Sequence, residues 1–204
     1  MTRKFTDKEK KFYKQKMIDE ATKLFSTLGF KKTSIDDITT AAGVAKGTFY
    51  NIFSSKEDIL FAVLEEQEKF RDSLLDELMK SERSAESAIR RLVKQSLKET
   101  DENKIFKMFF QENLVERLYL KLSPERIEAH FAQDFKKSSE FIKFFQEQSD
   151  LVKENPEIIV GLLRGFFMLP LHKKEIGEDI YEDVMRLFTE VLAKGLTTNE
   201  VKND

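Results

Sequence analysis

Thr33-Ser34-Ile35-Asp36-Asp37-Ile38-Thr39-Thr40-Ala41-Ala42-Gly43-Val44-Ala45-Lys46-Gly47-Thr48-Phe49-Tyr50-Asn51-Ile52-Phe53 is the stretch on which the reading of this chain turns. Ser34 can cap a helix, with Asp37 three residues on to complete a reciprocal box, and both acids suit the positive end of the helix dipole. The helix should end at Ala42, because Gly43 can take the positive φ of a tight turn. Val44 and Ala45 then lead into a second short helix, Lys46 to Ile52. Two short helices joined by a glycine turn have the dimensions of a helix-turn-helix over residues 34–53. Ile35, Ile38, Ala41, Val44, Phe49, Ile52 and Phe53 form the apolar set that would fix the angle between them. Lys46, Gly47, Thr48, Tyr50 and Asn51 are left outward, a set suited to phosphates and base edges in a major groove.

Upstream, Thr6 and Glu9 form a capping box, and an apolar stripe predicts a helix over Asp7–Leu28. Gly29 is expected as its left-handed stop, with Phe30 against Phe25 in a Schellman arrangement. Downstream, Ser55 and Asp58 make a further box before a long helix from about Lys56. Five more helices follow: Ser84 to Lys98, Asn103 to Leu122, one opened by Ser123-Pro124, Glu157 to about His172, and a last one from Gly177 to Lys194. Nine helices and no convincing strand give an all-α fold. A three-helix head, residues 1–55, carries the helix-turn-helix, and a six-helix body occupies residues 56–204.

The absence of cysteine excludes disulfides, zinc fingers, thiol nucleophiles and iron-sulfur ligation, and it fits a reducing cytoplasm. Met1 to Lys11 lacks the apolar core of a secretory signal, and the longest apolar run, Ile158 to Leu171, is interrupted by Arg164, so a cytoplasmic protein without membrane contact is expected. Charge is unevenly placed. Residues 1–56 hold twelve Lys/Arg against six Asp/Glu, a net of +6, and the remainder nets −8. A basic head on an acidic body fits a polyanion partner for the head; scattered solvated lysines give the same count. A di-iron helical enzyme would need Glu-x-x-His pairs, and neither His130 nor His172 has a Glu three residues before it, so no catalytic residue, metal ligand or cofactor is expected.

The ordered run from Thr33 through Phe53 to Ser54-Ser55-Lys56-Glu57-Asp58 resembles the N-terminal signature of the TetR family of bacterial transcriptional regulators. The resemblance covers roughly residues 10–60. It implies phosphate contacts from Thr33 and Ser34, groove and edge contacts from the segment of Lys46, Gly47 and Thr48, a backbone contact from Tyr50, and a phosphate contact from Lys56. A side chain at Gly47 would hold the backbone off the DNA. Two positions depart from the family pattern: Ala45 stands where a Ser or Thr cap is common, at a cost of about 0.5–2 kcal/mol of capping, and Asn51 where His or another aromatic is frequent. Both bear on which operator is read.

In the body, the run from Ile158 to Leu169 is apolar on almost every side, and Ile180–Leu192 carries a broad stripe. Such helices either bury in a monomer core or pair with those of a second copy in a four-helix seam, whose two-fold axis would present two heads to a pseudo-palindrome. Ile158, Gly161, Leu162, Gly165, Leu169, Val184, Phe188 and Val191 are the expected seam. Phenylalanine accounts for nineteen residues, and its spacing suits a packed core; the resemblance implies a ligand cavity, for which Phe106, Phe109, Phe110, Phe131, Phe135, Phe145 and Phe167 are candidates. His130, Arg164 and His172 are the polar groups that could orient a small hydrophobic effector. The expected function is a homodimeric repressor on a double-stranded DNA operator, released by such an effector. The alternative is a nucleoid or cell-division factor whose body recruits protein.

Overall fold

A computed structural model describes residues 5–112 and 114–197, apart from the side chains of Phe110, Gln111, Val115 and Leu171. Among the described residues there are eleven α-helices and no strand: α1 (Asp7–Leu28), α2 (Ile35–Ala42), α3 (Lys46–Tyr50), α4 (Lys56–Ser81), α5 (Ala85–Glu102), α6 (Lys104–Gln111), α7 (Leu114–Lys121), α8 (Pro124–Gln148), α9 (Pro156–Phe166), α10 (Lys173–Ile176) and α11 (Tyr181–Gly195), with a 3-10 turn at Leu169–His172. None is long and apolar enough to cross a membrane.

The expected nine helices become eleven for physical reasons. The helix expected over Asn103–Leu122 is two, because α6 buries Ile105, Met108 and Phe109 whereas α7 buries Leu114 and Leu118. The step of five from Phe109 to Leu114 is out of phase with a 3.6-residue turn, so one continuous helix could not bury both sets. The helix expected to reach His172 stops at Phe166, since Pro170 has no N–H to donate and its ring crowds the carbonyl four residues back. Conversely, the expected break at Thr100-Asp101-Glu102 does not occur. α5 runs through it, with the Thr100 hydroxyl donating to the Ser96 carbonyl at 2.9 Å.

The caps are where the sequence places them, with two corrections. Glu9 N–H donates to Thr6 Oγ1 at 3.2 Å and Thr6 N–H to the Glu9 carboxylate at 2.9 Å. Gly29 has φ 84° but ψ 163°, an extended conformation open essentially to glycine alone and not the left-handed one, although the Phe25 and Phe30 rings do meet at 5.6 Å. The Schellman stop belongs instead to Gly43 (φ 63°, ψ 37°), whose N–H donates to the Thr40 carbonyl at 3.1 Å while that of Val44 donates to Thr39 at 2.9 Å. At α4, Asp58 N–H donates to Ser55 Oγ, but the Asp58 carboxylate takes the N–H of Ser54, so the expected reciprocal box is shared between two serines.

Two compact units result: residues 1–69 with 101–127, and residues 70–100 with 128–204. This partition by packing differs from the division expected at 55/56. In the first unit, Met17, Ala21, Phe25, Phe30, Ile38, Phe49, Ile59 and Leu60 make a core that α6 and α7 complete with Ile105, Phe109 and Leu114. In the second, Leu78, Ile89, Phe141, Phe145, Ile159 and Met185 are the centre of a separate core. Arg90 of α5 fixes α11 to it by donating to both carboxylate oxygens of Glu190, at 2.9 and 2.7 Å.

Candidate nucleic-acid interface

A five-residue helix has no stability of its own, so α3 is held by what it buries. Phe49 is wholly buried, with its ring 5.4 Å from Tyr50, edge on, and 5.6 Å from Phe53. Because Phe49 points inward, Lys46, Gly47, Tyr50 and Asn51 lie on the outer side, all exposed, with Thr48 half-buried and Ala45 exposed at the N-cap. Ala45 makes no side-chain cap bond, as its methyl requires. A Cβ added to Gly47 would meet nothing within 4 Å. The glycine is therefore not demanded by packing within the chain.

The start of α2 is set by a network of hydrogen bonds within the chain. Thr33 is buried, and its hydroxyl donates to the Gly29 carbonyl at 2.9 Å. The hydroxyl thus closes the loop after α1 and does not face outward. Lys56 reaches back from α4 and donates to the carbonyls of Phe30 and Thr33 at 2.9 and 2.8 Å, with its ammonium 4.1 Å above the Phe30 ring. Burial lowers its pKa, with the Arg117 charge adding to the effect against neighbouring carboxylates. Two of three Lys56 N–H groups are thus committed, leaving one for an outside acceptor. Ser34 is exposed, and Asp37 accepts from both its N–H (2.8 Å) and its hydroxyl (2.6 Å). These bonds hold the Asp37 carboxyl below the usual range.

Two residues absent from the sequence reading of the interface belong to this surface. Asp36 pairs with Lys46 at 2.8 Å, and this hydrogen bond, followed by the charge itself, raises the lysine pKa. Lys16 of α1, exposed, places its ammonium 3.6 Å from where a Gly43 Cβ would stand, beside the turn between α2 and α3. Neither has a local sequence signal, since Asp36 is ten residues from Lys46 and Lys16 is on another helix.

In the second unit, Ile158, Leu162, Phe188 and Val191 are exposed, Gly161 and Gly165 face open space, and Leu169 and Val184 are half-buried. Met168, Ile180 and Leu187, in the same apolar run and stripe but outside the eight seam positions, are exposed as well. Arg164 lies 5.4 Å from the Phe131 ring, and the His130 ring 5.6 Å from it; His172 is exposed. The Phe candidates are divided between the two units. Phe109 is buried in the first core and Phe145 in the second, Phe106 and Phe131 are half-buried, and Phe135 and Phe167 pack partly buried against the second core. Phe110 falls outside the described side chains.

Comparison with known proteins bears on this geometry. The family model for bacterial regulatory proteins of the tetR family matches residues 17–63. A repressor, the HTH-type transcriptional repressor DhaR of Mycobacterium sp. (strain GP1), is 42% identical over 53 residues, covering 26% of this chain and 27% of the relative. The chain thus matches about a quarter of the length of such curated relatives. Among solved structures, a TetR-family transcriptional regulator from Pectobacterium atrosepticum superposes with a TM-score of 0.72 at 22% identity, over 96% of this chain and 99% of that one. RolR in complex with resorcinol superposes with a TM-score of 0.64 at 16% identity, over 97% and 99%.

Proposed function

Since the head of this chain belongs to the tetR family of bacterial regulatory proteins, we propose that the whole protein is a homodimeric transcriptional repressor that docks α3 in the major groove of an operator. The observation that carries this is the two-sidedness of α3. Phe49 anchors it from within, while Lys46, Gly47, Tyr50 and Asn51 are exposed on the outer side. Each outward group can donate to phosphate or a base edge, or, at Gly47, lets the backbone come close. The remaining N–H of Lys56 supplies a flanking phosphate contact, whereas Ser34 can do so only by giving up one of its two bonds to Asp37, and the protein works where its DNA is, in the cytoplasm.

The dimer is supported by the outward side chains of α9 and α11. Ile158, Leu162, Leu187, Phe188 and Val191 are each about half exposed or more, a run of apolar surface that soluble monomers seldom leave uncovered. A small hydrophobic effector is the proposed signal, given a body rich in phenylalanine and a structural neighbour solved with resorcinol. An effector that favours one spacing of the two heads would shift the population away from the DNA-competent one.

The test of docking is the affinity of Lys46→Ala and Tyr50→Ala for a duplex selected by the wild-type chain. Lys46→Ala lowers the slope of log K against log salt by about 0.9 where it loses a phosphate contact, and alters base preference where it loses a contact to a base edge. Unchanged affinity in both variants contradicts the docking. For the effector, thermal shift against a panel of small aromatic and acyl compounds should find at least one that raises Tm and weakens the operator complex; a panel that leaves both unmoved removes the ligand from the account.

A further inference from the structure

The first turn of α2 is an ordinary place for a phosphate, because its backbone N–H groups point outward at the positive end of the helix dipole. Here two carboxylates stand in that place. Asp37 is occupied with the N–H and hydroxyl of Ser34. Asp36 has no such duty. Its carboxylate reaches across to α3 and holds the Lys46 ammonium between its two oxygens, at 2.8 Å from Oδ1 and 3.0 Å from Oδ2. Both side chains are more than half exposed, 66% and 53%, and an ion pair so open to water adds little to folding stability. Lys46 is also the only basic side chain between Val44 and Ser55. The pair therefore engages the one cation of the recognition segment while giving the fold almost nothing.

We propose that Asp36 is a specificity-determining positioning residue: it keeps Lys46 from pairing with whatever phosphate lies in reach and aims the remaining ammonium N–H at one acceptor in the groove. The inference rests on α3 being the DNA-docking helix. An unpaired lysine on a four-carbon stem is a mobile point charge that gains from any phosphate, which is sequence-blind. A lysine engaged by both oxygens of one carboxylate has a preferred direction and keeps at least one free donor. By engaging the ammonium, Asp36 penalises non-specific complexes more than the specific one.

The experiment measures affinity for two duplexes, one selected from a random pool by the wild-type chain and one of scrambled sequence, over a series of salt concentrations. Asp36→Asn should raise affinity for the scrambled duplex several-fold, steepen its salt slope by about 0.9, and lower the ratio of selected to scrambled affinity. Asp36→Glu, which keeps the carboxylate, should retain the wild-type slope. In a Lys46→Gln background, Asp36→Asn should lose most of its effect. Equal gains on both duplexes, or an undiminished gain in the Lys46→Gln background, would overturn the inference while leaving DNA docking intact. A wild-type chain that binds no duplex at any salt overturns the docking and this inference together. Thermal melting of each variant separates these outcomes from loss of the fold.

Discussion

Phe49 shows how much of the proposed interface depends on one buried side chain. It is wholly buried between Tyr50 and Phe53, so Phe49→Ala should cost about 3–5 kcal/mol, read by chemical unfolding, and should abolish DNA binding before the body unfolds. Lys56 presents the converse case. Lys56→Met keeps an apolar stem over Phe30 but strips two donors from the carbonyls of Phe30 and Thr33. A loss of about 1–3 kcal/mol is expected, with weaker operator binding because α2 loses its fixed start; an unchanged unfolding midpoint would refute this role. At this scale the sequence is legible for apolar and capping residues, whose partners are local. It is not legible for Thr33, Lys56 or Asp36, because whether a hydroxyl or ammonium faces outward depends on which carbonyls and carboxylates the fold brings within 3 Å of it.

Helices carry their own punctuation, and the boundaries set by Thr6, Ser34, Gly43 and Asn155 are those expected. The missed break between α6 and α7 was also written in the chain, as the five-residue step from Phe109 to Leu114 that takes the buried stripe out of register. What periodicity does not reveal is the contact between elements distant in sequence. Arg117 of α7 donates twice to one oxygen of Glu57 at the start of α4, at 2.8 and 2.6 Å, and lies 5.2 Å from the Phe30 ring. Burial pushes the Glu57 carboxyl up, but the Arg117 hydrogen bond, the helix backbone and the charges of Arg117 and Lys56 outweigh it, and its pKa lies below the usual value. A carboxyl depressed on folding contributes stability that is complete above the unfolded pKa, about 4.3, and is lost as pH falls through the lower folded value. Unfolding free energy should therefore decline on that acid limb, and Glu57→Gln should make the decline shallower. An identical acid limb in the variant would show that the α4–α7 pair does not contribute.

For the whole molecule, the packing units ignore the boundary that function suggests, since α6 and α7 complete the core beneath the helix-turn-helix. The family signature is confined to the head and could not reveal this arrangement. Leu162→Glu combined with Phe188→Glu should place charges in the proposed seam. A cost of at least about 2 kcal/mol per anchoring position, roughly thirtyfold in affinity, should yield monomers in sedimentation at concentrations where the wild type is dimeric, along with loss of operator binding. Monomeric wild type would remove the seam from the account. The central claim, that this chain reads DNA as a two-fold pair of α3 helices, is tested most directly by selecting bound duplexes from a random pool. The account predicts enrichment of an inverted repeat whose half-sites are about one helical turn apart, or a multiple of it. A pool that stays unenriched, or that converges on a single asymmetric half-site, would contradict it.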